Sequence, residues 1–511
     1  MKKIGLAVVF VTTMFTLAAT AAFASNPKYV FFFLGDGMAN AQIQATEAYL
    51  TTANGDSATL ATDLQKSENR LKMTQMPVHG MQMTYDAYAL MTDSASSATA
   101  FSCGIKTKNG VINMNPESTV SYKSVAQLAH EKGMKVGVIS SVSLDHATPA
   151  AYYASVPSRD NYADIEIQLA ESGYEFFGGG GLKKYDTDEA VQTAIEENGY
   201  TILNDRESIM ALNNEPMDKV ICINPWLQDS SAMPYAIDRP ETNVSLAEMT
   251  QVAISVLHGD NEEQNNKNSS GQNSLNGFFF SRQNSHNGFF LMVEGGKIDW
   301  ACHANDAMAA IGDTLAFDDA VGVALEFYKK YPNDTLIIVT GDHETGGMTI
   351  GHATTKYGAH YEKLLGQTNS FVYFNQEVLP KFACRDSLSA DSDMLEKIYE
   401  KFGLVYSDLN DYQKEKLDDA YVQSVCGGNT NSEAKNTYLY GGYDALTVTL
   451  THILNENASI GWTSYSHTGV PVSVFATGAD AELFNGFYDN TDIAKKIAEA
   501  LNIHESLPVL K

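Results

Sequence analysis

Tyr29-Val30-Phe31-Phe32-Phe33-Leu34-Gly35-Asp36-Gly37 is an unbroken apolar run that stops abruptly in small and acidic residues. A strand inside a parallel sheet is covered on both faces, so both of its alternating rows of side chains must be apolar. The stop at Gly35-Asp36-Gly37 is how such a strand ends at a functional edge. A helical pattern follows from Ala39, and the same strand-then-loop grammar returns at 135–140, 289–293, 335–340 and 471–476. Helical stretches at 121–132, 304–331 and 492–501 lie between these runs. The alternation predicts an α/β fold, an open, largely parallel central sheet with helices on both faces. Ligands in such sheets sit beyond the carboxyl ends of the strands.

Outside this core the grammar changes. Residues 346–462 are rich in Tyr, Asn and Asp, and they read as a large inserted lid region carried by the core. Residues 272–279 are nearly repeated at 283–290, and only the second copy runs on into Leu291-Met292-Val293-Glu294. The first copy is therefore expected in an Asn/Ser-rich surface loop spanning about 259–286. Lys2 and Lys3, an apolar stretch and Ala22-Phe23-Ala24 read as a signal peptide over 1–24. A single α/β domain over 25–511 is then expected, periplasmic or secreted, with no membrane span in the mature chain.

Charge narrows the partners. With 34 basic and 62 acidic residues the net charge is -28, which repels nucleic acid and anionic membranes, so no nucleic acid partner is expected. A site for an anion must bring its own positive charge, and few arginines are present to do so: Arg70, Arg159, Arg206, Arg239, Arg282 and Arg385. Five cysteines leave at least one unpaired within the chain, and no Cys-x-x-Cys pair offers a thiolate zinc site. Cys384 and Cys426 are the pair expected to form a disulfide.

Three segments carry chemistry. In Glu294-Gly295-Gly296-Lys297-Ile298-Asp299-Trp300-Ala301-Cys302-His303, Asp299 and His303 stand four residues apart, one turn of a helix, so they can meet one zinc ion, with Glu294 at the same edge. In Gly341-Asp342-His343-Glu344-Thr345-Gly346-Gly347, the glycines let the backbone leave the strand so that neighbouring Asp342 and His343 can turn to one metal. Read alone, this segment is almost as well explained as a polar turn. In Asp93-Ser94-Ala95-Ser96, a serine opens a helix whose unpaired N–H groups favour a bound phosphate, although a plain N-cap serine reads the same locally.

Together these segments resemble the alkaline phosphatase family, over residues 29 to about 478 with the inserted regions excepted. The matching motifs are Asp36-Gly37, Asp93-Ser94-Ala95, Ala147-Thr148-Pro149-Ala150, Pro157-Ser158-Arg159, the Glu294 to His303 segment, Asp342-His343 and His467-Thr468-Gly469. The resemblance implies phosphate monoester hydrolysis through a covalent phosphoserine on Ser94, with Arg159 binding the phosphoryl group. It implies two zinc ions and one magnesium per chain. One zinc is held by Asp299, His303 and His467, and the second by Asp36, Asp342 and His343 with Ser94 joining it. Asp36, Thr148 and Glu294 form the magnesium site. Two positions depart from the best-known bacterial pattern: His146 replaces an aspartate and Trp300 a lysine, a pairing similar to that of marine bacterial members. Imidazole prefers softer ions than magnesium, which bears on the third site. Both side chains are expected beside the substrate. Small phosphate monoesters are the expected substrates, and a homodimer is implied. A sulfatase or phosphodiesterase on the same scaffold is the competing reading, against which stand the missing Cys-x-Pro-x-Arg motif and the presence of Arg159. A silent phosphate or metal scavenger is a reading of a different class.

Overall fold

The structure, a computed structural model, describes residues 26–259 and 287–511. Its centre is a ten-stranded sheet in the order Gly486–Asp489, Val78–Met83, Val472–Gly478, Thr335–Gly341, Tyr29–Gly35, Phe289–Glu294, Lys135–Ser140, Phe176–Gly179, Val220–Ile223 and Thr201–Leu203. Only Val472–Gly478 runs antiparallel to its neighbours. The Tyr29–Gly35 strand lies in the middle, with Leu34 level with both Glu294 and Thr340.

The apolar run sorts between two cores as its alternation requires. Val30, Phe32 and Leu34 pack on one side with Phe101, Val125, Leu128 and Ile497. Phe31 and Phe33 pack on the other with Met249, Val252, Phe317 and Val321. Each of these five strand side chains is fully buried, worth roughly 1.5–3 kcal/mol apiece relative to exposure. Helices Ser94–Cys103 and Thr491–Ala500 cover the first face, and Leu246–His258 and Ala307–Lys330 the second.

The structure refines several expectations. The helix expected over 121–132 begins only at Val125, because Ser124 and Gln127 form a reciprocal cap, while Tyr122–Lys123 pairs as a strand with Val509–Leu510. Residues 346–462 carry more regular structure than their polar composition indicated, including helices Ser392–Phe402, Asp411–Val425, Glu433–Tyr440 and Ala445–Ala458. Three of them, Ser392–Phe402, Asp411–Val425 and Ala445–Ala458, pack a third core around Ile398, Phe402, Leu417, Leu446 and Leu450 that also takes in Ala45, Ala48, Met308 and Ile311. Cys384 and Cys426 are disulfide-bonded within this region, while Cys103, Cys222 and Cys302 are buried free thiols. The second copy of the tandem repeat supplies the core strand Phe289–Glu294; the first copy and residues 1–24 lie outside the described residues. Among the described residues no helix is long and apolar enough to cross a membrane.

Candidate active site and metal centre

The carboxyl ends of the four central strands converge on one edge. Asp36 follows the Tyr29–Gly35 strand, Asp342 and His343 follow Thr335–Gly341, Glu294 ends its own strand, and Ser140 lies level with it. Gly37 makes the turn possible: its φ is +71°, and a Cβ there would lie 2.8 Å from Asp299 Cα. Its N–H donates to Asp342 Oδ1 at 3.0 Å, which ties the end of the Tyr29–Gly35 strand to that of Thr335–Gly341.

Asp36, Asp342 and His343 form one group whose ligand atoms lie within 4.8 Å of one another. His343 Nε2 is 3.4 Å from Asp36 Oδ1 and 3.1 Å from Asp342 Oδ2. Ser97 Oγ donates to Asp342 Oδ2 at 2.9 Å. Asp299, His303 and His467 form a second such group, and Asp36, His146 and Glu294 a third, so Asp36 belongs to two. Thr148 is fully buried beside Glu294. Ser140 Oγ donates to Glu294 Oε2.

These groups fit metal ions because the protein alone leaves them unsatisfied. Neither oxygen of Asp36 is hydrogen-bonded, nor are Glu294 Oε1 and His343 Nε2, although all are buried. A buried carboxylate without a partner is expensive, and a cation removes that cost. Burial first, then the neighbouring acids Asp342, Asp299 and Glu294, hold Asp36 well above the ordinary carboxylate range. Burial likewise pushes Glu294 up to about 8 and Asp342 up to about 7. The histidines of the second group are oriented from behind. His303 Nδ1 lies 2.6 Å from the Tyr465 carbonyl and His467 Nδ1 2.7 Å from the Thr92 carbonyl. Each Nδ1 therefore carries a proton, and both Nε2 atoms turn inward to Asp299, 3.1 Å from one another.

Ser94 opens helix Ser94–Cys103 and is 2 % exposed. The cap is Asp93 rather than Ser94: Asp93 Oδ1 accepts from Ser96 N at 2.9 Å, so capping makes no use of the Ser94 hydroxyl. Asp93 Oδ2 also accepts from Arg159 Nη1 at 3.0 Å, and Arg159 Nη2 lies 3.1 Å from His146 Nε2. His146 packs edge-on against Trp300, with ring centroids 5.7 Å apart. Burial, then the Arg159 charge, holds the His146 imidazole well below its ordinary value, so it is neutral and able to accept from the guanidinium. Ser97, Ser140 and the carbonyls of Thr92 and Tyr465 were not among the residues singled out from sequence, and Asp93 was named only as part of the Asp93-Ser94-Ala95 motif, without a role of its own. Only Asp93, adjacent to Ser94, carried a local signal.

The alkaline phosphatase family profile matches residues 27–503. Alkaline phosphatase 3 of Bacillus subtilis is 31% identical over 431 residues, covering 83% of this chain and 80% of that protein. A cold-active alkaline phosphatase from the psychrophile Shewanella sp. superimposes with a TM-score of 0.70 at 29% identity, covering 93% of this chain and 99% of that one. The Thermus thermophilus alkaline phosphatase superimposes with a TM-score of 0.72 at 26% identity, covering 95% and 93%. A profile spanning nearly the whole chain, over a strand edge built from clustered acids and imidazoles, makes this protein a member of the alkaline phosphatase family and a phosphoric monoester hydrolase.

Proposed function

We propose that hydrolysis proceeds through a covalent phosphoserine on Ser94, with two zinc ions and one magnesium ion per chain. Asp299, His303 and His467 would hold one zinc; Asp36, Asp342 and His343, joined by Ser94, the other; Asp36, Thr148 and Glu294 the magnesium. The donor types support this division, since mixed imidazole and carboxylate sets suit zinc and all-oxygen sets suit magnesium. Bound there, the ions would supply the positive charge that screens the phosphate dianion and favours deprotonated serine and water.

Ser94 Oγ loses its proton and attacks phosphorus, the bond from phosphorus to the ester oxygen breaks, and the departing alkoxide takes up a proton. Water then attacks the phosphoserine, the phosphorus–Oγ bond breaks, and inorganic phosphate leaves with Ser94 restored. Two in-line displacements give net retention at phosphorus. Arg159, braced by Asp93 and His146, presents its planar fork to two non-bridging oxygens, a geometry lysine lacks. His146 and Trp300 flank the same phosphoryl group.

The observation that carries the reading is the Asp36 carboxylate, buried with both oxygens unpartnered and shared between two candidate metal groups. The test is phosphate release from an aryl phosphate at alkaline pH, before and after chelation and with zinc restored, for the wild type and Ser94→Ala. Metal-dependent turnover that vanishes in Ser94→Ala with zinc content intact is expected. Turnover surviving in that variant removes the serine from the mechanism. A zinc-loaded wild type that releases no phosphate overturns the assignment of the site.

We further propose that residues 25–511 act in the periplasm or as a secreted protein after removal of 1–24, as a homodimer, with 346–462 serving as a lid. Amino-terminal sequencing of the exported protein and its mass in solution test the first two.

A further inference from the structure

Lys297 opens the helix that carries Asp299 and His303, and its side chain is completely buried. A buried ammonium persists only where partners replace its water. Its Nζ donates to Asp229 Oδ1 and lies 3.7 Å from the centroid of the Tyr235 ring and 4.9 Å from that of Trp300. Aromatic faces attract a cation at these distances, and the attraction strengthens where water is excluded.

The partner carboxylate is held by backbone in an unfavourable conformation. Ser230 and Ser231, which follow Asp229, have φ of +46° and +61°, left-handed backbone that residues with a Cβ avoid. The turn is closed by Ala232 N to Asp229 O at 2.8 Å and anchored by Gly181 N to Ser231 O at 2.7 Å. Strain of this kind survives where surrounding contacts overdetermine it, and it concentrates around functional sites. Beyond Trp300 the contacts continue: its indole meets His146 edge-on, and His146 Nε2 meets Arg159 Nη2.

We infer that Lys297 and Asp229 form a positioning pair for substrate binding: the buried ammonium pins the Trp300 indole against His146, which steadies the Arg159 guanidinium for the phosphoryl group. The inference rests on the reading of Arg159, His146 and Trp300 as substrate-binding residues. Lys297 is a positioning residue, acting through Trp300. A purely structural role, holding the 229–232 turn against the helix, would lower thermal stability and leave substrate affinity alone.

The experiment compares the metal-loaded wild type with Lys297→Met, Asp229→Asn, the Lys297→Met/Asp229→Asn double variant, Trp300→Phe and Lys297→Met/Trp300→Phe. It reads kcat and KM for an aryl phosphate, the inhibition constant of inorganic phosphate, and the melting temperature. In Lys297→Met, KM and the phosphate inhibition constant should rise together by about three- to tenfold with kcat within about twofold, the signature of lost uniform binding. Asp229→Asn, which strands a buried charge, should melt lowest of the single variants. The charge-free Lys297→Met/Asp229→Asn variant should regain stability and keep the raised KM, so the result does not depend on Lys297→Met folding. Lys297→Met/Trp300→Phe should be no worse in KM than Trp300→Phe alone, because residues acting through one contact are non-additive. Unchanged KM in both Lys297→Met and Lys297→Met/Asp229→Asn, beside a raised KM in Trp300→Phe, overturns the inference and leaves the reading of Trp300 standing. Additive effects of Lys297→Met and Trp300→Phe also overturn it. Unchanged KM in Trp300→Phe removes the reading of Trp300, and the inference falls with it.

Discussion

Asp93 faces two ways: one carboxylate oxygen caps the helix that begins at Ser94, and the other accepts from Arg159 Nη1 at 3.0 Å. The helix that opens at Ser94 and the Arg159 guanidinium are thereby set against each other by a single side chain. Gly110 N donates to the same Oδ2 at 2.9 Å, which restricts the carboxylate further.

Replacing that carboxylate should loosen phosphate without touching Ser94, the proposed nucleophile. In Asp93→Asn the amide still caps the helix, so the melting temperature should change little. The charge-assisted bond to Arg159 is lost, because the amide that caps the helix through its oxygen turns its NH2 to Nη1; about 1.5 kcal/mol corresponds to roughly a tenfold rise in the inhibition constant of inorganic phosphate. KM should rise in parallel, with kcat changing less. Steady-state kinetics with phosphate as product inhibitor checks this; an unchanged inhibition constant would mean Arg159 keeps its place without Asp93.

Gly37 allows a different test, of the metal groups themselves. An added Cβ would meet Asp299 Cα at 2.8 Å, and the φ of +71° is left-handed. Gly37→Ala should cost about 1 kcal/mol or more in backbone strain alone. It should also push Asp36 and Asp299, which belong to neighbouring candidate metal groups, out of register. Zinc content by elemental analysis should fall below that of the wild type, and activity should drop by about a hundredfold or more, as misplaced catalytic geometry commonly does. Full zinc occupancy with normal turnover would show that the turn adapts without disturbing either group.

The central strands were legible because burial on both faces leaves no polar residue in the run, and Tyr29 to Leu34 has none. Strands near the rim of the sheet lack that signature: Val78–Met83, next to the outermost strand, is only partly buried and contains His79, Gly80 and Gln82, so no apolar run marks it. Asp299 and His303 were legible through their helical spacing. The orienting partners of the histidines were not, since the acceptors are the backbone carbonyls of Thr92 and Tyr465, and any residue type supplies a carbonyl. Lys297 sits inside the strongest motif, yet its burial against Asp229 depends on a turn 68 residues earlier in the chain.

The pH dependence of stability should reflect a buried acid pair, Glu166 and Asp145, the second of them next to His146 in the chain. Glu166 is fully buried; burial first, then Asp145 beside it, pushes its carboxyl up to about 9. Its Oε1 accepts from Lys184 N at 2.7 Å, and Asp145 Oδ2 accepts from Lys183 N at 2.8 Å. A carboxyl raised in the folded state binds its proton more tightly there than in the unfolded chain. Its stabilising contribution is therefore complete below the unfolded value near 4.5 and is lost as pH rises through about 9. Glu166→Gln mimics the protonated acid and removes the titration. Its melting temperature should fall less steeply than that of the wild type between about pH 5 and 9; parallel curves would show that folding does not raise this carboxyl.

His146 should decide how strongly the third group responds to magnesium. Its Nε2 accepts from Arg159, so Nδ1 carries the proton and lacks a free lone pair, and that atom has no hydrogen-bond partner in its buried position. As a neutral ring engaged with Arg159, it adds no anionic oxygen beside Asp36 and Glu294. Magnesium prefers hard oxygen donors in octahedral array, and each carboxylate added strengthens the site. His146→Asp places such a donor among the same neighbours, at the cost of the edge-on contact with Trp300. After chelation and restoration of zinc alone, the variant should be activated by added magnesium by about tenfold, while the wild type responds much less. Its KM should also rise, because Arg159 and Trp300 both lose the ring that separates them. Equal magnesium activation in the two proteins would place His146 outside the third group and leave its contact with Arg159 as its whole role.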